Sequence, residues 1–148
     1  MEWLNQLTQQ VVGLDTAPLI YFVEENPTYL KVVEPFFTAF DQGQFRIVTS
    51  TVTLLEVLVQ PLRIGDKRLA SQYREILLGQ DSLSVQLVST EIAELAAQLR
   101  AEHNLRTPDA VQLATAIQSE AKLFFTNDAK LKGFSQLEIL VLDELLAD

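Results

Sequence analysis

The chain has 148 residues, with 11 Lys and Arg against 20 Asp and Glu, a formal net charge of −9 and no cysteine. That length holds one domain, residues 1–148, with a single sizeable core. The missing cysteines exclude a disulfide framework and a thiolate metal site and fit a reducing cytoplasm, while the acidic balance argues against nucleic-acid binding through a broad basic surface.

The opening stretch "MEWLNQLTQQ" lacks the basic start and continuous apolar core of a secretory signal. It places Trp3, Leu4 and Leu7 on one side of a short helix, either a flap packed on the sheet edge or an apolar partner surface. "QVVGL" at 10–14 reads as a buried strand, and Asp15 and Thr16 follow it, placed to cap a helix beginning near Pro18. Pro27 to Asp41 carries Leu30, Val33, Phe37 and Phe40 at helical spacing. "FRIVT" at 45–49 is a second strand, followed by the helical "STVTLLEVLV" with Glu56 inside it. A helix over Gly65 to Leu78 carries Lys67, Arg68 and Arg74. "SVQLV" at 84–88 is the third strand, Glu91 to Glu102 a helix, and Pro108 to Ser119 another, opened by Asp109. "KLFFT" at 122–126 ends in Thr126, Asn127 and Asp128, and "EILVL" at 138–142 closes the set. No apolar run approaches the roughly 20 residues of a membrane span, so no membrane partner is expected.

Strands alternating with helices predict an α/β fold of three layers: a central parallel sheet of about five strands with helices on both faces. In such sheets, sites form beyond the carboxyl ends of the strands, where strand order reverses. Asp15, Glu56, Asp109 and Asp128 all follow strands or open helices there.

Each acid also has a structural explanation. Asp128 and Asp15 are good N-caps, and Asp109 after Thr107 and Pro108 makes an ordinary helix start, with Thr107 as its cap. Glu56 resists this account. Leu54, Leu55, Val57, Leu58 and Val59 surround it, which predicts a largely buried helix with one carboxylate in it. Such a carboxylate needs an ion pair, with Arg63 or Arg106, or a metal. Four crowded acids would also repel each other and raise at least one carboxyl pKa. Hard ions such as Mg²⁺ or Mn²⁺ suit an all-oxygen set of this kind. The only histidine, His103, lies in a separate polar segment without a nucleophile elbow, so a Ser/His/Asp triad is not supported.

"LDTAPLIYF", "TVTLLEVLV", "TPDAVQLATA" and "FFTNDAKL", in that order, resemble the PIN-domain family of metal-dependent ribonucleases, most of all the small bacterial VapC-like toxins. The resemblance runs over about residues 11 to 142. It implies an acidic quartet at Asp15, Glu56, Asp109 and Asp128, with Thr126 as the small polar site residue and Asn127 beside the last acid. It implies hydrolysis of RNA by water activated on Mg²⁺ or Mn²⁺, leaving 5′-phosphate and 3′-hydroxyl ends. Asp15, Asp109 and Asp128 would hold metal, with Glu56 as ligand or water orienter. Thr16 and Thr126 would hold waters or phosphate, and Lys67, Arg68 and Arg74 are candidate RNA contacts or a solvated helix face. A cognate antitoxin, a homodimer and a cytoplasmic setting follow from the same resemblance. Two features depart from the family: Gln112 stands where many members carry histidine, and the first acid lies further along the chain than usual.

Two rival classes remain at this level. A non-catalytic interaction module on the same fold would not need all four acids. Another magnesium-dependent phosphohydrolase would want a second acid two positions after Asp15, where Ala17 stands, and a receiver domain would want a lysine near Thr126.

Overall fold

In the computed structural model, which describes residues 1–147, the strands are β1 (Val11–Leu14), β2 (Arg46–Ser50), β3 (Leu83–Gln86), β4 (Leu123–Thr126) and β5 (Glu138–Val141). The helices are α1 (Glu2–Asn5), α2 (Thr16–Val23), α3 (Leu30–Asp41), α4 (Thr51–Ile64), α5 (Lys67–Leu78), α6 (Thr90–Glu102), α7 (Thr107–Gln118) and α8 (Leu142–Leu145), with a 3₁₀ turn at Ala129–Leu131. All strand pairs are parallel, and the sheet order is β3-β2-β1-β4-β5. The expected five-strand α/β architecture is therefore present.

Side chains alternate across a strand, so each strand feeds two apolar layers. Phe125 faces one layer and stacks on Phe36 at 4.0 Å between ring centroids. Phe124 faces the other, with Leu113, Ala114 and Ile92. Trp3 stacks on Phe125 at 5.9 Å, and Leu7 is fully buried. The opening segment is thus packed onto the sheet: Trp3 and Leu7 are core, and Leu4 is partly buried against it.

One backbone position sets how closely a helix approaches. A Cβ on Gly13 would lie 2.7 Å from Phe124 Cδ1 and 2.8 Å from Ala116 Cβ. Glycine there lets α7 lie directly against β1.

Several boundaries differ from expectation for local reasons. Gly65 adopts a left-handed conformation and ends α4, and Asp66 then caps α5 by accepting from Leu69 N–H, so the stretch 65–78 begins with two caps. Arg106, not Thr107, occupies the N-cap of α7, and no side chain caps that end. β3 stops at Gln86, which leaves Leu87 and Val88 beyond the sheet and exposed. The helix carrying Glu56 is not largely buried. Leu55 and Leu62 are 63% and 60% exposed, and Glu56 itself is exposed. The apolar run predicts burial, but its outer row faces solvent.

Candidate active site

The chain runs from β1 outward to β2 and β3, then crosses back to β4 and β5. The reversal lies between β1 and β4. Asp15 follows β1 and Asp128 follows β4, so both stand at this switch point. Asp109 comes from the first turn of α7 and Glu56 from the second turn of α4. All four carboxylates line one open cavity of about 480 Å³, together with Thr16, Tyr21 and Asn127.

Hydroxyl groups aim two of the acids. Thr126 Oγ1 donates to Asp15 Oδ2 at 2.7 Å, and Thr16 N–H donates to Asp15 Oδ1 at 2.8 Å. Thr16 Oγ1 donates to Glu56 Oε1 at 2.6 Å. Thr126 Oγ1 also accepts from Asp128 N–H at 3.0 Å, which ties the last acid to the same strand end. Thr16 and Thr126 therefore spend their hydroxyl protons on carboxylates. Neither Arg63 nor Arg106 is ion-paired with Glu56; among the described residues the pairs are Arg106 with Asp109 and Lys132 with Glu144.

Asp15 and Asp128 each combine two roles. Asp15 is the N-cap of α2, and Asp128 Oδ1 accepts from Lys130 N–H at 3.0 Å at the head of the 3₁₀ turn. Asp109 is not a cap; its Oδ2 accepts from Arg106 Nε at 3.2 Å.

Beneath the acids lies a buried polar layer. Thr49 Oγ1 donates to the Leu14 carbonyl at 2.8 Å, and it shares a hydrogen bond with Thr53 Oγ1 at 2.7 Å. Gln112 Nε2 donates to Thr53 Oγ1, and Gln112 Oε1 accepts from Ser50 Oγ at 2.8 Å. Gln112 thus joins α7 to α4 and β2. Every buried side-chain polar atom among the described residues has a partner.

Burial pushes the Asp15 carboxyl above its ordinary value. The Thr126 hydroxyl and Thr16 N–H pull it back down, and the charges of Asp109 and Glu56 push it further up. The expected raised carboxyl is present, with desolvation rather than crowding as its first cause. Arg106 is held more firmly protonated by its bond to Asp109, with smaller contributions from Asp128 and Glu56.

The four acids bordering the cavity offer carboxylate oxygens, the donors that hard divalent ions favour. Among the described residues no three acidic or histidine side chains stand close enough together to hold an ion; the acids border the cavity instead. That openness fits Mg²⁺, which keeps several waters and takes few protein ligands.

The proposed RNA contacts on α5 are not brought to this cavity. Lys67 and Arg74 line a separate hollow of about 440 Å³ with Leu62 and Asp66, and Arg68 is exposed on the same helix. Cations that do reach the acids are Arg106 and, in an adjoining cavity, Arg100 and Lys130. Arg106 pairs with Asp109 rather than with Glu56, the partner the sequence suggests. Its position just before "TPD" was the available signal.

His103 is exposed and lies edge-on to Phe134 at 5.2 Å, away from the carboxylates. No helix among the described residues is long and apolar enough to cross a membrane.

The fold is shared with solved toxin structures. A VapBC2 complex from Rickettsia felis, bound to a DNA fragment from its promoter, is 19% identical, with 88% of this chain and 98% of that chain covered and a TM-score of 0.66. A toxin–antitoxin complex from Klebsiella pneumoniae is 22% identical over 89% of this chain and 97% of that chain, at a TM-score of 0.64. VapC20 from Mycobacterium tuberculosis, described as a Sarcin-Ricin loop cleaving toxin, is 15% identical over 84% of this chain and 95% of that chain, at 0.68. No curated protein matches in sequence. The PIN-domain family model matches residues 12–137, a span that begins in β1 and includes all four acids, and the chain is a member of the PIN-domain family.

Proposed function

We propose that this protein is a metal-dependent endoribonuclease that hydrolyses RNA phosphodiester bonds, and that it is the toxin of a cytoplasmic toxin–antitoxin pair. The observation that carries the proposal is the convergence of Asp15, Glu56, Asp109 and Asp128 on one cavity, with Asp15 and Glu56 aimed by the hydroxyls of Thr126 and Thr16.

Asp15, Asp109 and Asp128 would hold Mg²⁺ or Mn²⁺, with Glu56 as a further ligand or as the acceptor that orients a water. A bound divalent cation supplies Lewis acidity, lowering the pKa of a water and offsetting charge on the phosphodiester. Thr126 and Thr16 keep carboxylate oxygens pointed into the cavity. Asn127 lines it next to Asp128; its Oδ1 accepts from Asp143 N–H at 3.2 Å and its Nδ2 donates to Tyr21 Oη at 3.5 Å, which leaves one amide N–H for substrate. Hydrolysis on this scheme yields 5′-phosphate and 3′-hydroxyl ends.

The partner proposal draws support from the toxin–antitoxin complexes that share the fold. An exposed apolar row, Leu55, Val59 and Leu62, also runs along α4 beside Glu56, and a partner or a second copy of the chain would cover it. An antitoxin that covers the cleft could place Arg or Lys on the carboxylates.

Incubation of purified protein with total bacterial RNA tests the activity. We expect cleavage with Mg²⁺ or Mn²⁺, its loss in EDTA, and 5′-phosphate ends on the products. Cleavage unaffected by EDTA, or none with either metal, would overturn the proposal.

A further inference from the structure

We propose that the cavity adjoining the carboxylate cleft is a phosphate-binding subsite that grips the RNA backbone next to the bond being cut; the proposal rests on the ribonuclease reading above. The cavity measures about 530 Å³ and lies between the connection from α6 to α7 and the 3₁₀ turn after β4. Arg100, Arg106 and Lys130 all line it. Only eleven lysines and arginines are spread over this acidic chain, and the three at this hollow outnumber its two acids, Asp109 and Asp128. Arg106, Asp109 and Asp128 line both this cavity and the carboxylate cleft, which makes the two continuous. A strand whose reactive phosphate lies among the acids therefore passes directly into the cationic half.

The three cations are presented in different ways. Arg100 is fixed: Nε donates to the Leu105 carbonyl and Nη1 to Thr107 Oγ1, both at 2.9 Å. Its remaining N–H groups stay available, since a guanidinium carries five donors. Arg106 spends Nε on Asp109 and leaves a side chain that is 79% exposed. Lys130 is carried by the turn that Asp128 caps, so one short segment delivers both an acid to the metal side and an ammonium to the phosphate side. Among the described residues neither Arg100 nor Lys130 has an acidic partner, and charge is therefore left over for a ligand. Phosphate is the anion that arginine forks and a lysine point charge bind together. The α5 cations, in their separate hollow, do not share this continuity with the acids.

The test is fluorescence anisotropy of a labelled, phosphorothioate-backbone RNA single strand with Mg²⁺ over a salt series. Each lost phosphate contact on a single strand should lower the slope of log affinity against log salt by about 0.7. Lys130→Ala, whose side chain makes no hydrogen bond, should show that single decrement. Arg100→Gln with Lys130→Ala should lower the slope by about 1.4 and weaken binding roughly tenfold at low salt. With cleavable RNA the same variants should raise KM and leave kcat little changed. Lys67→Ala with Arg74→Ala should bind as wild type. If wild type binds and cleaves RNA but Lys130→Ala and the Arg100/Lys130 double variant match it in affinity and slope, the cations are counter-charges for the acids only and the subsite is refuted. A loss that appears instead in the Lys67/Arg74 variant also refutes it. If wild type neither binds nor cleaves RNA, the subsite and the ribonuclease reading fall together.

Discussion

Thr126 Oγ1 donates to Asp15 Oδ2 at 2.7 Å, joining two residues 111 positions apart at the ends of adjacent parallel strands. The same oxygen accepts from Asp128 N–H, so one buried hydroxyl orients two of the four acids. Thr126→Val keeps the shape and removes both interactions. Leaving the Asp128 N–H without its acceptor should cost about 1–3 kcal/mol of stability. Loss of an outer partner of a metal ligand typically costs about 10–100-fold in metal affinity. Calorimetric titration with Mn²⁺ should show that loss in Thr126→Val and near-wild-type affinity in Thr126→Ser. Equal affinity in Thr126→Val and wild type would mean that the hydroxyl does not position the ligand.

Gln112 joins Ser50 and Thr53 inside the layer beneath the acids. Gln112→Leu fills similar space but leaves the Ser50 hydroxyl proton without its acceptor and removes one donor from Thr53, whose bond to Thr49 remains, with an expected destabilisation of about 2 kcal/mol. For a domain of this size that lowers the melting temperature by several degrees. Thermal denaturation checks it. An unchanged melting temperature would show that water substitutes freely for the amide.

Asp15 gives a pH dependence whose sign follows from its raised pKa. Burial is the main cause, so the folded state holds the Asp15 proton more tightly than the unfolded chain does. The contribution of Asp15 is then most favourable below the unfolded value near ~4 and is lost as pH rises through the folded value. In EDTA, Asp15→Asn should therefore be at least as stable as wild type at pH 8, with the gap closing as pH falls toward ~4. The Thr126 hydroxyl can accept from the new amide, so the variant keeps a partner there. Melting curves from mildly acid pH to pH 8 decide the matter; a wild-type advantage at pH 8 in EDTA would contradict the assigned sign.

Strand and helix order was legible because each strand is a short apolar run, and two of the acids, Asp15 and Asp128, closely follow one. The reversal of strand order at β1 and β4 then brings Asp15 and Asp128 together, which the topology rule for open α/β sheets anticipates. Glu56 is exposed where the sequence predicts burial, for a physical reason. A helix apolar on all sides signals burial or an uncovered surface, and periodicity cannot separate the two; here Leu55, Val59 and Leu62 are uncovered. Cations near the acids were harder to see. Arg100, Arg106 and Lys130 come from a helix, a loop and a turn, and only packing joins them, whereas Lys67, Arg68 and Arg74 share one helix and formed a visible cluster. Gln112 was noticed as a departure, but its bonds to Ser50 and Thr53 depend on how α7 crosses β2 and α4.

The central claim is that the four carboxylates form the metal site of a ribonuclease. Its most direct test is RNA cleavage by wild type, Asp15→Asn, Asp109→Asn and Asp128→Asn, each in Mn²⁺ and in EDTA, with circular dichroism confirming the fold. Wild type should cleave in Mn²⁺ alone, and none of the three variants should cleave. Cleavage by Asp128→Asn at the wild-type rate, or by wild type in EDTA, would contradict it.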